Sequence, residues 1–186
     1  IDSVKAIFDQ YPEQIAAVIV EPVAANMGIV LPQDNFLHDL QNLCRSQGTL
    51  FILDEVITGF RMGFGGAAEY FELEPDLRTY GKIIGAGMPV GAYGGRKDIM
   101  EMVSPVGPVY QAGTLSGNPV AMAAGLTQLK ILHENPSIYT HMAKTAEQLF
   151  DGMRELLNKY EKHYTVNNIA SLGCLYFTDK AVNNYE

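Results

Sequence analysis

The chain has 186 residues, enough for a domain with its own hydrophobic core. Its formal net charge of −8 argues against a nucleic-acid-binding surface, because binding to phosphates needs clustered Lys and Arg side chains. The longest apolar run, residues 15–20, is far shorter than the roughly 20 residues that span a bilayer.

The first half of the chain predicts a helix and then a strand–helix–strand unit. Residues 15–20 are continuously apolar, which is typical of a strand buried on both faces of a parallel sheet. Apolar residues recur at helical spacing over residues 33–47, and Gly48 predicts the C-cap of that helix. Residues 49–53 predict a second buried strand, which stops at Asp54 and Glu55.

The second half follows a Gly-rich, aromatic stretch and alternates strands with helices. We predict short strands over residues 77–82 and 91–95, a turn at 113–118, a helix from Pro119 to about 132, and an amphipathic helix to about 160. Residues 165–177 predict strands of a unit that the chain does not complete. Because the chain opens in a helix without a methionine, we interpret it as an excerpt of a longer protein.

Cys44 and Cys174 show neither a CxxC pair nor a His at metal-ligand spacing. This pattern favours packed, reduced thiols of a cytosolic protein and indicates no metal site. The N-terminus has no basic region followed by an apolar core, so the sequence gives no sign of a signal peptide. We therefore expect a cytoplasmic location.

Asp54 is a candidate site residue because it directly follows a buried strand. In open α/β sheets, ligands bind beyond the carboxyl ends of the strands. An unpaired buried carboxylate is costly, so a cation must meet Asp54. That cation is either a protonated pyridine nitrogen or the Arg or Lys of a structural ion pair.

Lys82 is the second candidate, because it stands alone among apolar and Gly residues. Lysine is rarely buried without a partner. If it is buried, desolvation frees its amine to attack an aldehyde. The alternative is a lysine whose side chain extends to solvent from the end of a strand.

Residues 113–119, Gly-Thr-Leu-Ser-Gly-Asn-Pro, predict a turn that leads into a helix. Ser116 and Asn118 suit the cap and Pro119 suits the first turn. Free N–H groups at such a helix start can bind phosphate, although an ordinary capped helix has the same pattern. Residues 85–91 imitate a dinucleotide-binding glycine motif, but a strand rather than a helix is predicted to follow, which argues against NAD.

In combination, these segments resemble the class-III aminotransferases of pyridoxal-phosphate (PLP) fold type I. The resemblance rests on Val-Glu-Pro at 20–22, Leu-Asp-Glu-Val-Ile-Thr-Gly-Phe-Arg at 53–61, Gly-Lys at 81–82 and the segment 113–119. Residues 81–95 and 108–114 further resemble the glutamate-1-semialdehyde 2,1-aminomutases. The resemblance implies an α/β fold in which residues 1–132 are part of the PLP-binding large domain. Residues 133–186 would then be a connecting helix and the incomplete start of the C-terminal domain.

The resemblance also implies roles for individual residues. Lys82 would bind the cofactor covalently and move protons, and Asp54 would pair with the pyridinium nitrogen. Val56 would pack on the ring face, and Asn26 would contact the cofactor near its 3′-hydroxyl side.

Tyr110 and Thr114, with Gly113 beside them, resemble residues that reach the cofactor phosphate of a neighbouring subunit. A homodimer with shared active sites would follow from that arrangement. The implied cofactor forms are pyridoxal and pyridoxamine 5′-phosphate, and no metal is implied. A partner that the family pathway makes plausible is glutamyl-tRNA reductase.

The implied reaction is intramolecular amino transfer, from glutamate-1-semialdehyde to 5-aminolevulinate, a precursor of haem and other tetrapyrroles. One alternative is an ω-transaminase, which needs an external keto acid. Another is a non-catalytic fragment, which would be colourless when purified. We expect these 186 residues alone to be weakly active or inactive, because the resemblance places much of the cofactor site outside them.

Overall fold

The computed structural model describes residues 1–185, which form a four-stranded sheet, a separate two-stranded hairpin and six helices. The elements, in chain order, are α1 (Asp2–Gln10), β1 (Ala17–Val20), α2 (Phe36–Gln47), β2 (Leu50–Asp54), α3 (Gly66–Tyr70), β3 (Leu77–Tyr80), β4 (Ala92–Gly95), α4 (Lys97–Met100), α5 (Pro119–Glu134), α6 (Ser137–Lys159), β5 (Thr165–Ile169) and β6 (Leu172–Tyr176).

The sheet runs in the order β1-β2-β3-β4, and its first three strands are parallel. β4 returns antiparallel to β3, so the sheet is mixed. The parallel register pairs Val20 with Leu53 and Asp54 with Thr79. The carboxyl ends of β1, β2 and β3 therefore lie at one edge of the sheet.

The main core lies between β2 and the two N-terminal helices. Phe51 and Leu53 of β2 are buried against Leu40 and Cys44 of α2 and Phe8 of α1. The helical periodicity of α2 puts these side chains on one face, and Gly48 ends the helix in the left-handed conformation at φ +67°. The predicted strand–helix–strand unit and its C-cap are confirmed.

The prediction of a first strand buried on both faces is wrong. Only Ala17–Val20 forms the strand, and Ile19 is 60% exposed. β1 is an edge strand of the sheet, and only the face that carries Val18 and Val20 packs on the core. Among residues 1–185, nothing buries the opposite face.

The C-terminal hairpin of β5 and β6 packs against the loop that follows β1. The hydroxyl of Tyr176 donates to the backbone carbonyls of Met27 and Gly28, and the Asn167 amide donates to the carbonyl of Ile29. Apolar side chains of the hairpin also cover Val23 and Ile29. The hairpin thus fixes the loop from the end of β1.

Both cysteines are free: Cys44 is buried in the core and Cys174 is half-buried in β6. Burial raises the pKa of the Cys44 thiol. Within residues 1–185, no helix combines the length and the apolar character that crossing a membrane requires.

Two helical glycines differ in what surrounds them, and this difference gives a stability prediction. A Cβ on Gly125 in α5 would lie 2.1 Å from the carbonyl oxygen of Ile84, whereas one on Gly152 in α6 would meet nothing within 4 Å. We expect Gly125→Ala to lower the free energy of unfolding by about 1–3 kcal/mol, because α5 must move away from that backbone. Urea denaturation of the chain measures this change.

The matched control is Gly152→Ala, which should raise the free energy of unfolding by up to about 1 kcal/mol because alanine favours the helix. Equal effects of the two substitutions would contradict the close contact between α5 and the backbone at Ile84.

Candidate active site

Asp54 ends β2 and presents one free carboxylate oxygen. Its Oδ1 accepts hydrogen bonds from the Val56 N–H and the Thr79 hydroxyl, each at 3.1 Å. Within residues 1–185, neither a hydrogen bond to Oδ2 nor an ion pair of Asp54 occurs, so the alternative of a structural ion pair finds no partner in this part of the chain. The carboxylate is held by one oxygen and offers the other to a cation.

Lys82 lies in a tight turn rather than in a strand. β3 ends at Tyr80, and Lys82–Gly85 forms a 3-10 helix that begins with Lys82 at φ +49°. The predicted strand over residues 77–82 is therefore wrong at its end, because a left-handed residue cannot continue a strand. Lys82 is also exposed, so the burial that its apolar neighbours suggested is absent from this chain.

Three of the predicted site residues form one cluster at the carboxyl edge of the sheet. Asp54 is the last residue of β2, and Lys82 follows the neighbouring parallel strand β3, three residues beyond Thr79, the partner of Asp54. Val56, whose N–H is bonded to Asp54, packs on Gly81: a Cβ there would lie 3.2 Å from Val56 Cγ1. The chain thereby brings a carboxylate, an apolar side chain and a primary amine to one edge.

Thr79 is a site residue that the sequence reasoning missed. It is the strand residue opposite Asp54, and its hydroxyl fixes the carboxylate oxygen that faces the sheet. Parallel pairing of the two predicted strands places some residue near the end of β3 beside Asp54, but it does not say which one. Finding it required the register, which hydrophobic patterning does not supply.

Glu55 is a second missed residue, and it organises the loop after β2. Its carboxylate is fully buried and accepts hydrogen bonds from the N–H groups of Ala67 and Ala68 at the start of α3 and from the Thr58 hydroxyl. Arg78 approaches to 3.9 Å. The Gly-rich, aromatic stretch between β2 and α3 is therefore folded around a buried carboxyl group.

The turn at residues 113–118 forms as predicted and leads into α5. The Asn118 side chain caps α5 by accepting hydrogen bonds from the N–H groups of Val120 and Ala121. Two of the N–H groups proposed for phosphate are thus already bonded, so the helix start favours the ordinary-cap interpretation. Gly113 lines a cavity of about 210 Å³ with residues 89–91, which follow the Lys82 turn.

The remaining predicted site residues are exposed. Asn26 is exposed in the loop after β1, where Glu21 Oε2 accepts its N–H at 3.4 Å. Tyr110 is 82% exposed, and Thr114 is also exposed. Within residues 1–185, no hydrogen bond or ion pair joins these three residues to Asp54 or Lys82.

The cluster suits a cofactor that carries a protonated heterocyclic nitrogen and an aldehyde. The free Oδ2 of Asp54 can hold such a proton, and the exposed amine of Lys82 can react with an aldehyde. Two larger cavities, of about 430 Å³ beside the end of β1 and about 910 Å³ along α5, are lined by neither residue. The Lys82 side of the site is exposed to solvent in residues 1–185.

Comparison with known proteins shows the class to which this chain belongs. Residues 1–184 match the aminotransferase class-III family, and the chain is therefore a member of the class-III aminotransferases. The predicted family resemblance and the α/β fold class of PLP fold type I are confirmed. The strand that follows the glycines at 85–91 agrees with this class and not with a dinucleotide-binding turn.

Among individual proteins, the chain is similar to glutamate-1-semialdehyde 2,1-aminomutases. It is 58% identical over all 186 residues to glutamate-1-semialdehyde 2,1-aminomutase 2 of Lachnoclostridium phytofermentans, of which it covers 44%. It is also 58% identical over 182 residues to the aminomutase of Alkaliphilus oremlandii, where 98% of this chain matches 42% of that protein. The chain thus spans less than half the length of these relatives.

Two solved structures share the fold. An omega-transaminase from Sphaerobacter thermophilus superposes with a TM-score of 0.90 at 33% identity, over 97% of this chain and 41% of that one. A glutamate-1-semialdehyde-aminomutase from Pseudomonas aeruginosa, in complex with PMP, gives 0.85 at 28% identity, over 98% and 42%. The mixed sheet and its helices are thus shared by both kinds of enzyme.

The buried Glu55 gives a prediction on the stability of the site. We expect Glu55→Gln to lower the free energy of unfolding by about 2–4 kcal/mol, because the NH2 group that replaces one carboxylate oxygen cannot accept a hydrogen bond from the N–H group that it faces. Chemical denaturation of the variant measures this loss.

Glu69→Gln is the matched control, since Glu69 is exposed and accepts one N–H bond, from Gly65, in the same loop. Its substitution should change the free energy of unfolding by less than about 1 kcal/mol. A Glu55→Gln effect as small as that of the control would contradict the structural role of the buried carboxylate.

Proposed function

We propose that this chain is the lysine-bearing part of a glutamate-1-semialdehyde 2,1-aminomutase, which converts glutamate-1-semialdehyde to 5-aminolevulinate. The observation that carries the proposal is the cluster of Asp54, Val56 and Lys82 at one sheet edge, in a chain 58% identical to aminomutases along its whole length. The cofactor is pyridoxal 5′-phosphate, exchanging with pyridoxamine 5′-phosphate.

Each residue of the cluster has a part in this chemistry. When bound, the cofactor supplies an aldehyde that takes up amines and a protonated ring that withdraws electrons. Asp54 holds the ring nitrogen's proton with Oδ2, while Thr79 and the Val56 N–H keep the carboxylate oriented through Oδ1. Val56 would pack against a ring face. Lys82 would bind the cofactor through its amine and would then serve as the general acid and base that takes protons from, and returns them to, the reacting carbons.

The alternative within the class is an ω-transaminase. Its support is the fold, because the omega-transaminase structure superposes with the higher of the two TM-scores. Fold similarity does not separate the two activities, however, because both kinds of enzyme share the same architecture. The highest sequence identity favours the aminomutase: it is 58% to the two named aminomutases, whereas it is 33% to that transaminase and 28% to the solved aminomutase.

A second copy of the chain would complete the site. Val106, Tyr110 and Leu115 are 76%, 82% and 62% exposed, so the loop that carries Gly113 and Thr114 presents apolar side chains outward. Large exposed apolar side chains of this kind suit a protein interface. We propose a homodimer in which Tyr110, Gly113 and Thr114 contact the cofactor phosphate of the neighbouring subunit, and in which Asn26 contacts the cofactor within its own subunit.

Other expectations of the resemblance remain predictions. These are docking to glutamyl-tRNA reductase, a cytoplasmic location, and the division into a large domain over residues 1–132 and a further unit from residue 133. The hairpin contacts with the loop after β1 would then be contacts between those two units.

The substrate requirement separates the two activities. We expect an enzyme of the relatives' full length that carries these residues to form 5-aminolevulinate from glutamate-1-semialdehyde with no keto acid added. The reason is that the amino group is transferred within one substrate molecule, so no external amino acceptor is needed. The measurement is colorimetric detection of 5-aminolevulinate with and without added keto acid.

An absolute requirement for a keto acid would overturn the aminomutase proposal and favour the transaminase. The 186-residue chain alone serves as a control and should show little or no turnover.

Lys82 gives the second test. Borohydride reduction of the full-length enzyme should leave the cofactor covalently attached, whereas Lys82→Ala should retain none after denaturation, because Lys82 is the lysine that the strand register brings to the Asp54 edge. Mass spectrometry of the denatured protein measures the attachment.

Lys97→Ala is the matched control, because Lys97 is an exposed lysine that pairs with Glu101 in α4. It should keep full attachment. Persistent attachment in Lys82→Ala would remove Lys82 from its proposed role.

A further inference from the structure

The Lys82 turn has a backbone that needs external support. Lys82 and Ala86, at its two ends, have φ values of +49° and +50°, the left-handed region that residues with a side chain rarely adopt. Each such residue is strained, because its Cβ crowds the neighbouring backbone. Hydrogen bonds close the turn at its two ends, where Ile84 N–H donates to the carbonyl of Gly81 at 3.3 Å and Ala86 N–H donates to the carbonyl of Ile83 at 3.0 Å.

Helix α5 supplies that support through two residues on one face. Gly125 brings the helix backbone against the carbonyl of Ile84, where any side chain would clash. Gln128, one turn further along, donates its Nε2 amide hydrogen to the carbonyl of Ile83 at 2.7 Å. The spacing of three residues puts both contacts on the same side of α5. The helix start is fixed in turn by the Asn118 cap.

We infer that Gln128 is a positioning residue for Lys82: its amide holds the carbonyl of the next residue in the chain and thereby fixes the direction in which the lysine side chain leaves the turn. The inference rests on the proposed function, in which Lys82 moves protons. Gln128 would act on Lys82 only through the backbone of the turn.

The expected consequence is selective. A lysine that must deliver protons to two carbons in succession depends on its placement, because small displacements of a reacting group slow a step strongly. Substrate binding depends instead on groups that contact the substrate. Loss of the Gln128 bond should therefore lower kcat and leave KM nearly unchanged.

The experiment uses the full-length enzyme with Gln128→Met, which keeps the side-chain length and removes the donor. We expect kcat to fall about 3- to 10-fold, the range for loss of one ordinary hydrogen bond, with KM changing less than about 2-fold. Gln128→Lys, whose flexible amine can again donate to the Ile83 carbonyl, should recover most of kcat. Gln128→Ala provides the same test if the Met variant does not fold.

Thr127→Val is the matched control. Thr127 is the neighbouring residue on α5, and its hydroxyl bonds only within the helix, to Ala123. This variant should keep wild-type kcat and KM. An unchanged kcat in both Gln128→Met and Gln128→Ala would overturn the inference, as would equal losses in Gln128→Met and Thr127→Val or a failure of Gln128→Lys to recover activity.

Failure of the proposed function is distinguishable from failure of this inference. An enzyme that requires a keto acid refutes the aminomutase proposal, and the same variants are then compared in keto-acid-dependent transamination. Borohydride attachment at Lys82 should stay complete in Gln128→Met, because the amine still meets the cofactor and only its placement during proton transfer changes.

Discussion

The parallel pairing of β2 with β3 is the constraint on which the site depends. Its register sets Asp54 opposite Thr79, so the chain that leaves β3 must pass the Asp54 carboxylate before it reaches Lys82. An antiparallel pairing could not bring both residues to this edge, because the carboxyl ends of the two strands would then lie at opposite edges. The buried side chains of β2 secure this pairing, because Phe51 and Leu53 anchor the strand in the core.

Around that pairing, the chain uses backbone contacts to give the site a definite shape. The buried Glu55 gathers the loop after β2, Val56 packs on Gly81, and α5 supports the turn from the other side through Gly125 and Gln128. These contacts act on main-chain atoms, so they hold the loops in place while the Asp54 carboxylate and the Lys82 amine remain available for chemistry.

The sequence was informative about elements and about single residues, and less so about their relations. Patterning predicted β2, α2 with its Gly48 cap, and the long helix α6, because each has a clear period and a recognisable end. It did not reveal that Lys82 leaves the strand in a left-handed turn, whose contacts with α5 come from residues more than 40 positions further along the chain. It also missed Thr79 and Glu55, whose roles follow from the strand register and from long-range hydrogen bonds. The exposed face of β1 likewise depends on what covers the sheet, which a local pattern does not contain.

What separates a mutase from a transaminase must lie outside the cluster. A carboxylate that holds a ring proton and a lysine that moves protons serve either reaction equally, and the two kinds of enzyme superpose on this chain almost equally well. The two reactions differ in whether one molecule takes part in both amino transfers. A mutase must therefore keep that molecule in the site between the two transfers, and this depends on how the site is closed. In residues 1–185 the Lys82 side is open and apolar residues near Tyr110 face outward. The groups that decide specificity would therefore act from beyond this edge, from a second subunit or from the rest of a full-length enzyme, upon a lysine whose position this chain already determines.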